Sequence, residues 1–283
     1  VGQDGVDITR QHWKPDEDLV LRARGLRVQG VEAQGLVAAR IRPLTHDHQA
    51  PLTNLTVLFD TSASRAPRFE QSIQRLEGLL GELAQWTGND FRVHLIAFDQ
   101  GQETIYEGPL DSLRPEHFRR LKRRDALGAS DLGAALRNVA RRKGPPVDRV
   151  LLVTDGVVTA GTRDLDRLGK AVDELRSRGV MRVDVLGDGG LRDQSTLEHI
   201  TRALPHAGAL LDPRDSDRTL AHHIVRGVIT GMELEVPGAL WTFPSRLDGV
   251  QSGDEVIVFD PAYDSYEPVV RLQGGRTRHV PMH

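Results

Sequence analysis

The central part of the chain alternates short apolar runs with amphipathic segments, and this alternation restricts the possible folds more than any other feature. Runs with the length of strands lie at 55–59, 91–98, 103–106, 149–154, 181–186 and 209–211. Segments with helical spacing of apolar residues lie at 69–86, 131–142, 164–178, 193–203 and 215–229. The main strands are rich enough in Val and Leu to be covered on both faces. The sequence therefore predicts an α/β fold: a doubly wound, mostly parallel, Rossmann-like sheet of about six strands with helices on both faces.

Oxygen-bearing side chains follow two of the predicted strands. Asp60 ends the first strand and is followed by Ser62 and Ser64, while Asp155 follows the strand at 149–154. Ser130 lies between them, in a loop that opens a helix. Doubly wound sheets bind ligands beyond the carboxyl ends of their strands, so these side chains are expected to converge. An all-oxygen set suits a hard divalent cation, Mg²⁺ before Mn²⁺ or Ca²⁺, and neutral hydroxyl ligands leave the ion able to attract a carboxylate.

These residues resemble the signature of a von Willebrand factor type A domain with a metal-ion-dependent adhesion site, over residues 52–230. Asp60, Ser62 and Ser64 match the Asp-x-Ser-x-Ser pattern, Asp155 matches the later strand-end Asp, and Ser130 stands where the family usually has Thr. The resemblance implies that the three serines ligate the ion, directly or through water. It implies that the two aspartates hold coordinating waters or bind the ion directly.

The same resemblance implies a function. It indicates a non-enzymatic adhesion or interaction module, in which an Asp or Glu of a protein partner completes the metal shell. By analogy with relatives, ligation would shift the last predicted helix, at 215–229. A second hypothesis is an assembly or regulatory subunit that docks an ATPase or chelatase-type machine through the same site. A metal-dependent hydrolase is a third, for which Asp99, Asp125 and Asp131 are the candidate general bases.

The two ends of the chain differ from the centre. Residues 1–50 and 231–283 lack helical patterns of useful length. Strand-like segments lie at 18–24, 35–41, 232–236, 255–259 and 269–272. A few strands alone are marginal in water, so both ends are expected to pair into one β-sandwich, into which the domain at 51–230 is inserted. The flanks at 13–21 and 244–258 resemble those of inter-alpha-trypsin inhibitor heavy chain-like proteins.

Composition excludes several classes of protein. With 37 basic and 40 acidic residues, the formal net charge is −3, which argues against a general affinity for nucleic acid or acidic membranes. No apolar run approaches the roughly 20 residues of a membrane span, and without Cys there are no disulfides or thiolate ligands. Phosphate-binding glycine patterns are also missing. The chain begins at Val1 without a signal segment and is expected to be trimmed; compartment and oligomeric state stay unassigned.

Two further clusters have alternative interpretations. The histidines at 46, 48, 222 and 223 are expected to lie on the surface rather than to bind zinc. The basic run at 117–124 is expected to form a solvated helix face. The alternative is that this run steers an acidic partner toward the ion, in which case neutralising its arginines would slow association.

Overall fold

The computed structural model describes residues 30–33, 36–41, 52–88, 90–229, 231–233, 245–247, 250–251 and 256–260. The strands are, in chain order, β1 Gly30–Ala33, β2 Leu36–Ile41, β3 Asn54–Asp60, β4 Arg92–Phe98, β5 Gln102–Pro109, β6 Arg149–Thr154, β7 Arg182–Gly187, β8 Leu210–Leu211, β9 Met232–Glu233, β10 Arg246–Leu247 and β11 Val256–Asp260. The α-helices are α1 Phe69–Trp86, α2 Pro115–Arg124, α3 Leu132–Arg141, α4 Leu165–Asp173, α5 Gln194–Arg202 and α6 Asp217–Val225.

Six strands form one sheet in the order β5-β4-β3-β6-β7-β8. All neighbouring pairs are parallel except β4 with β5, so β5 is an antiparallel edge strand. From β3, the chain continues to β4 on one side and later to β6 on the other. The carboxyl ends of β3 and β6 are therefore the point where strand order reverses, the usual ligand position in such sheets. The predicted α/β fold with a mostly parallel sheet is confirmed.

The sheet is covered on both faces because its strands are apolar on both faces. In β3, Val57 and Phe59 belong to a core cluster that includes residues of α1 and α6. Leu58 between them belongs to a second cluster, shared with α3, α4 and α5. The alternation of side chains along a strand thus divides one apolar run between two cores. Both cores hold the ends of β3 and β6 in fixed positions.

The observed helices differ from the predicted ones mainly at their ends. The last helix spans Asp217–Val225 and is shorter than the predicted 215–229. The Ser216 hydroxyl accepts a hydrogen bond from Thr219 N and starts the helix, while Arg226 is extended, with φ −79° and ψ 150°. The predicted helix at 164–178 is α4 followed by a 3₁₀ turn, Glu174–Arg178, which ends at left-handed Gly179. The short strand predicted at 103–106 is longer, because β5 pairs with β4 along its whole length.

The described residues divide into two compact units. The larger contains the six-stranded sheet and its helices. The smaller contains an antiparallel sheet in the order β1-β2-β11, which combines strands from both ends of the chain. Strands β9 and β10 form a separate pair. The strands predicted at 18–24 and 269–272, and the flank at 13–21, lie outside the described residues, so the β-sandwich and the domain limits stay predictions.

None of the described helices is both long enough and apolar enough to cross a membrane.

Candidate metal centre

The Asp60 carboxylate is the centre of the candidate site. It ends β3 and has 0% exposed surface. Its Oδ1 accepts a hydrogen bond from Ser62 N at 2.9 Å. Its Oδ2 accepts hydrogen bonds from the hydroxyls of Ser130, at 3.1 Å, and Thr154, at 2.6 Å. The loop after β3, the loop before α3 and the end of β6 therefore meet at this one carboxylate.

The loop after β3 is fixed to the loop before α3 by backbone contacts. Ser62 and Gly128 form an isolated parallel bridge, and Ala63 N donates to Gly128 O at 2.8 Å. A Cβ atom at Gly128 would lie 2.4 Å from Cβ of Asp99, in the loop after β4, so only glycine fits at this position. The bridge holds the hydroxyls of Ser62 and Ser64 3.1 Å apart. Ser62 is buried and Ser64 is exposed, so the site opens to solvent on the Ser64 side.

Asp155 follows β6 and is also buried, with 1% exposed surface. Its Oδ1 accepts a hydrogen bond from Val157 N at 2.9 Å. Gly156, with φ +77°, takes the left-handed turn that this arrangement requires. No direct hydrogen bond joins Asp155 to the other four predicted residues among the described contacts, but its charge is one of the causes that raise the pKa of Asp60.

The loop after β6 also holds Ser130 in place. Ser130 N donates to Thr159 Oγ1 at 2.8 Å. In return, Ser130 O accepts hydrogen bonds from Thr159 N, at 3.1 Å, and Ala160 N, at 2.9 Å. These hydrogen bonds fix the main chain at Ser130 and so position its hydroxyl, even though serine lacks the methyl group that restricts the rotamers of threonine.

The electrostatics of the site favour a cation. Burial raises the pKa of Asp60 above its usual value, more than the hydrogen bonds from Thr154 and Ser62 lower it. Within the described residues, neither Asp60 nor Asp155 has an ion-pair partner. Two buried carboxylates without a partner of opposite charge are unfavourable unless an ion compensates them.

The donor set fits a hard divalent cation. It consists of two carboxylates and several neutral hydroxyls, which are the oxygen ligands that Mg²⁺ and Ca²⁺ prefer. The described part of the chain has no cluster of three or more His, Asp or Glu side chains that could hold a metal. A site at this position therefore depends on the hydroxyls of Ser62, Ser64 and Ser130.

Thr154 was not predicted as a site residue, yet its hydroxyl makes the shortest side-chain hydrogen bond to Asp60. The position was part of the predicted strand end, but its side chain was not assigned to the site. The parallel pairing of β3 with β6 is the signal from which this contact could have been predicted. Phe59 pairs with Val153, so the residues that follow them, Asp60 and Thr154, end neighbouring strands side by side.

A buried charge next to the site was also not predicted from the sequence. Arg65, directly after Ser64, is 1% exposed. Its Nη2 donates to Ser72 Oγ at 3.0 Å and lies 3.4 Å from Asp188 Oδ2. Its Nε and Nη1 have no hydrogen-bond partner among the residues that the structure describes. This ion pair joins the loop after β3 to the loop after β7, a sequence separation of 123 residues.

The candidate general bases have structural contacts. Asp99 Oδ2 lies 2.7 Å from Arg124 Nη2, and Asp99 Oδ1 accepts a hydrogen bond from Gly101 N. Asp131 caps α3 by accepting from Ala134 N at 2.9 Å. Asp125 accepts a hydrogen bond from Ala126 N. Each of these carboxylates is thus engaged in holding a loop or a helix end.

The basic run lies on α2, as predicted, but part of its charge is neutralised. Arg120 and Arg124 form ion pairs with Glu103, and Lys122 forms one with Glu70. Arg119 and Arg123 are exposed. The hypothesis that the basic run steers an acidic partner toward the ion included all four of its arginines. It now applies mainly to Arg119 and Arg123.

The histidines at 222 and 223 are half-buried rather than fully on the surface. The His222 ring lies 5.3 Å from the Trp86 ring, and His223 Nδ1 is hydrogen-bonded to Gln251. The histidines at 46 and 48 lie outside the described residues.

Comparison with solved structures shows the class of the fold. A von Willebrand factor type A structure from Catenulispora acidiphila is similar with a TM-score of 0.51 and 16% identity, covering 80% of this chain and 60% of that one. Manganese-loaded TRAP protein from Plasmodium vivax is similar with a TM-score of 0.46 and 18% identity, covering 78% of this chain and 96% of that one. Proximal thread matrix protein 1 from mussel byssus, with a zinc-occupied MIDAS motif, is similar with a TM-score of 0.45 and 21% identity, covering 64% and 48%.

The first similarity shows a fold of the von Willebrand factor A type. No family model matches the chain, and no curated protein matches its sequence.

Proposed function

We propose that the larger unit is a divalent-cation-dependent protein-binding module. Its ion, Mg²⁺ before Mn²⁺ or Ca²⁺, would be held by Ser62, Ser64 and Ser130 together with Asp60 and Asp155. One observation carries the proposal: the Ser130 and Thr154 hydroxyls and the Ser62 backbone N–H, from three separate segments, all donate to the fully buried Asp60 carboxylate, which has no ion-pair partner among the described residues. The von Willebrand A-type fold supports it, because the site lies where strand order reverses.

The ion would supply an electrophilic position for an anionic oxygen. Hydroxyl ligands are neutral, so an ion that the two aspartates contact through coordinating waters keeps much of its positive charge for a further ligand. Ser64 is the exposed member of the set, which gives a partner access from that side. A carboxylate from an Asp or Glu of another protein is the natural ligand for such a position. The work of this chain is to hold the oxygens in place, through the hydrogen bonds of Asp60 and the pairing of Ser62 with Gly128.

Calorimetry tests the metal site. Mg²⁺ and Mn²⁺ are titrated into chelator-treated protein and into the variants Asp60→Ala and Ser130→Ala. Ser112→Ala is the matched control, because Ser112 is exposed and follows β5. It lies near the amino end of β4, whereas the site lies at the carboxyl ends of the parallel strands. We expect saturable binding in the wild type and the control, loss of binding in Asp60→Ala and weaker binding in Ser130→Ala. Absence of binding at millimolar ion, both with and without added acetate as a carboxylate ligand, would contradict the proposal.

A further inference from the structure

An open groove lies beside the proposed metal site, between the loops that follow β6 and β7. Its volume is about 440 Å³, and its lining residues are Val157, Val158, Arg163, Leu191, Arg192, Asp193, Gln194 and Thr196. Both walls begin at Asp155: Val157 N donates to Asp155 Oδ1, and Asp193 N donates to Asp155 O, each at 2.9 Å. A partner that placed a carboxylate at the ion would therefore have its neighbouring residues next to this groove.

The wall from the loop after β6 is rigidly connected to the site. The hydrogen bonds of Thr159 and Ala160 to Ser130 fix this loop to the loop before α3. The other wall is fixed at Gly189, because a Cβ atom there would lie 2.8 Å from Asp155 Cβ and 3.4 Å from Leu191 O. The position of the groove relative to the serines and aspartates is thus set by the same contacts that build the site.

The groove combines apolar and cationic side chains. Leu191 is 79% exposed and lines the groove together with Val157, so it offers uncovered aliphatic surface. Arg163 and Arg192 are exposed, and Arg192 is oriented by a hydrogen bond from its Nη1 to Gly187 O at 3.1 Å. Asp193 is the single acidic residue of the lining, and both of its carboxylate oxygens accept hydrogen bonds from Thr196. The lining therefore carries an excess of positive charge.

We propose that this groove selects the partner, by binding an acidic and aliphatic segment next to the carboxylate that ligates the ion. The inference rests on the proposed function and specifies its ligand. An aliphatic side chain of the partner packs on Leu191 and Val157, and a second carboxylate binds Arg163 and Arg192. In an extended segment, residues two apart face the same side, so one short stretch of chain presents these groups together.

Peptide display tests the proposal with a defined probe. A library of short random peptides that contain one fixed Asp is selected on the whole protein, in millimolar Mg²⁺ and in chelator. We expect peptides that are retained only with Mg²⁺ and that are enriched in Leu, Ile or Val and in a second Asp or Glu on one side of the fixed Asp. The double variant Arg163→Gln/Arg192→Gln should bind a selected peptide about three- to tenfold more weakly, as expected for two exposed ion pairs. Leu191→Ser should lose the aliphatic preference.

The matched control is the double variant Arg141→Gln/Arg176→Gln. It makes the same change in charge at two exposed arginines, one at the end of α3 and one just before β7, at the opposite edge of the sheet. This control should bind the selected peptides like the wild type. Mg²⁺-dependent peptides that bind the groove variants as tightly as the wild type would overturn the inference alone. Failure to recover any Mg²⁺-dependent peptide would overturn the proposed function, and the inference with it.

Discussion

Buried charges near the candidate site are compensated in two different ways. Asp60 and Asp155 have hydrogen-bond donors but no ion-pair partner within the described residues, which leaves a place for a cation. Arg65, in the loop after β3, has an internal partner in Asp188, although two of its nitrogens have no hydrogen-bond partner in the described part of the chain. A buried guanidinium is strongly destabilising if its partner is removed. The first pair of charges is therefore suited to a ligand, and the second to holding two loops together.

The Arg65–Asp188 pair gives a prediction about stability. Asp188→Ala leaves the guanidinium buried without a counter-charge, so the free energy of unfolding should fall by about 3 kcal/mol. Adding Arg65→Met to Asp188→Ala removes the uncompensated charge and should restore most of this loss. Urea unfolding of the wild type, both single variants and the double variant measures the cycle. A double variant that is no more stable than Asp188→Ala would show that the two residues are not coupled.

At the scale of elements, the candidate metal ligands are positioned by pairing between loops and between strands. Gly128 in the loop before α3 pairs with Ser62, and this close approach brings hydroxyls from separate loops together.

The antiparallel edge strand β5 is joined to β4 and to the end of α3 by a cluster of polar side chains, the edge cluster. In this cluster, His94 is hydrogen-bonded to Thr104, and Arg142 is hydrogen-bonded to both His94 and Glu107.

Gly128→Ala tests the pairing of the two loops. The added methyl group would overlap Asp99 in the loop after β4, so the segment at Gly128 should shift and disturb its bridge to Ser62. The affinity for Mg²⁺ should then fall at least about tenfold, or roughly 1.4 kcal/mol. Gly81→Ala in α1 is the control, because a Cβ atom there meets nothing within 4 Å. It should leave Mg²⁺ affinity unchanged and increase stability by up to about 1 kcal/mol. Equal Mg²⁺ affinity in Gly128→Ala and the wild type would exclude this role of the glycine.

The edge cluster predicts a pH dependence of stability. Burial, together with the charge of Arg142 and against that of Glu107, lowers the pKa of His94 to about 4. The unfolded chain, with a His pKa near 6.5, therefore binds a proton more readily than the folded one. The contribution of His94 to the free energy of unfolding is therefore complete above about pH 6.5 and is lost as the pH falls toward 4.

Since His94 is only partly buried, we expect about 1 kcal/mol of this loss between pH 7 and pH 5. Urea unfolding at both pH values measures it, and His94→Gln should show a smaller loss. The same pH dependence in the variant and the wild type would assign the effect to other groups.

At the scale of the whole molecule, the features that could be predicted from the sequence are those that short local patterns determine. Most strands of the six-stranded sheet were predictable because they are short apolar runs, and Asp60, Ser62 and Ser64 lie at the end of the first of them or just after it. Contacts that depend on packing between distant segments were not predictable: the Thr154 hydroxyl on Asp60, and the Arg65–Asp188 pair across 123 residues. Both ends of the helix predicted at 215–229 were misplaced, because Ser216 caps the start of α6 and extended Arg226 ends it. The groove depends on how two loops lie side by side, which no local pattern encodes.

The location of a bound ion tests the central claim most directly. Crystals of the protein grown with Mn²⁺ would give an anomalous scattering peak at the position of the metal. We predict one strong peak that contacts the hydroxyl oxygens of Ser62 and Ser130 at the carboxyl ends of β3 and β6, and no peak there in crystals of Asp60→Ala. A metal bound elsewhere on the chain, with none between Ser62 and Ser130 in the wild type, would contradict the account.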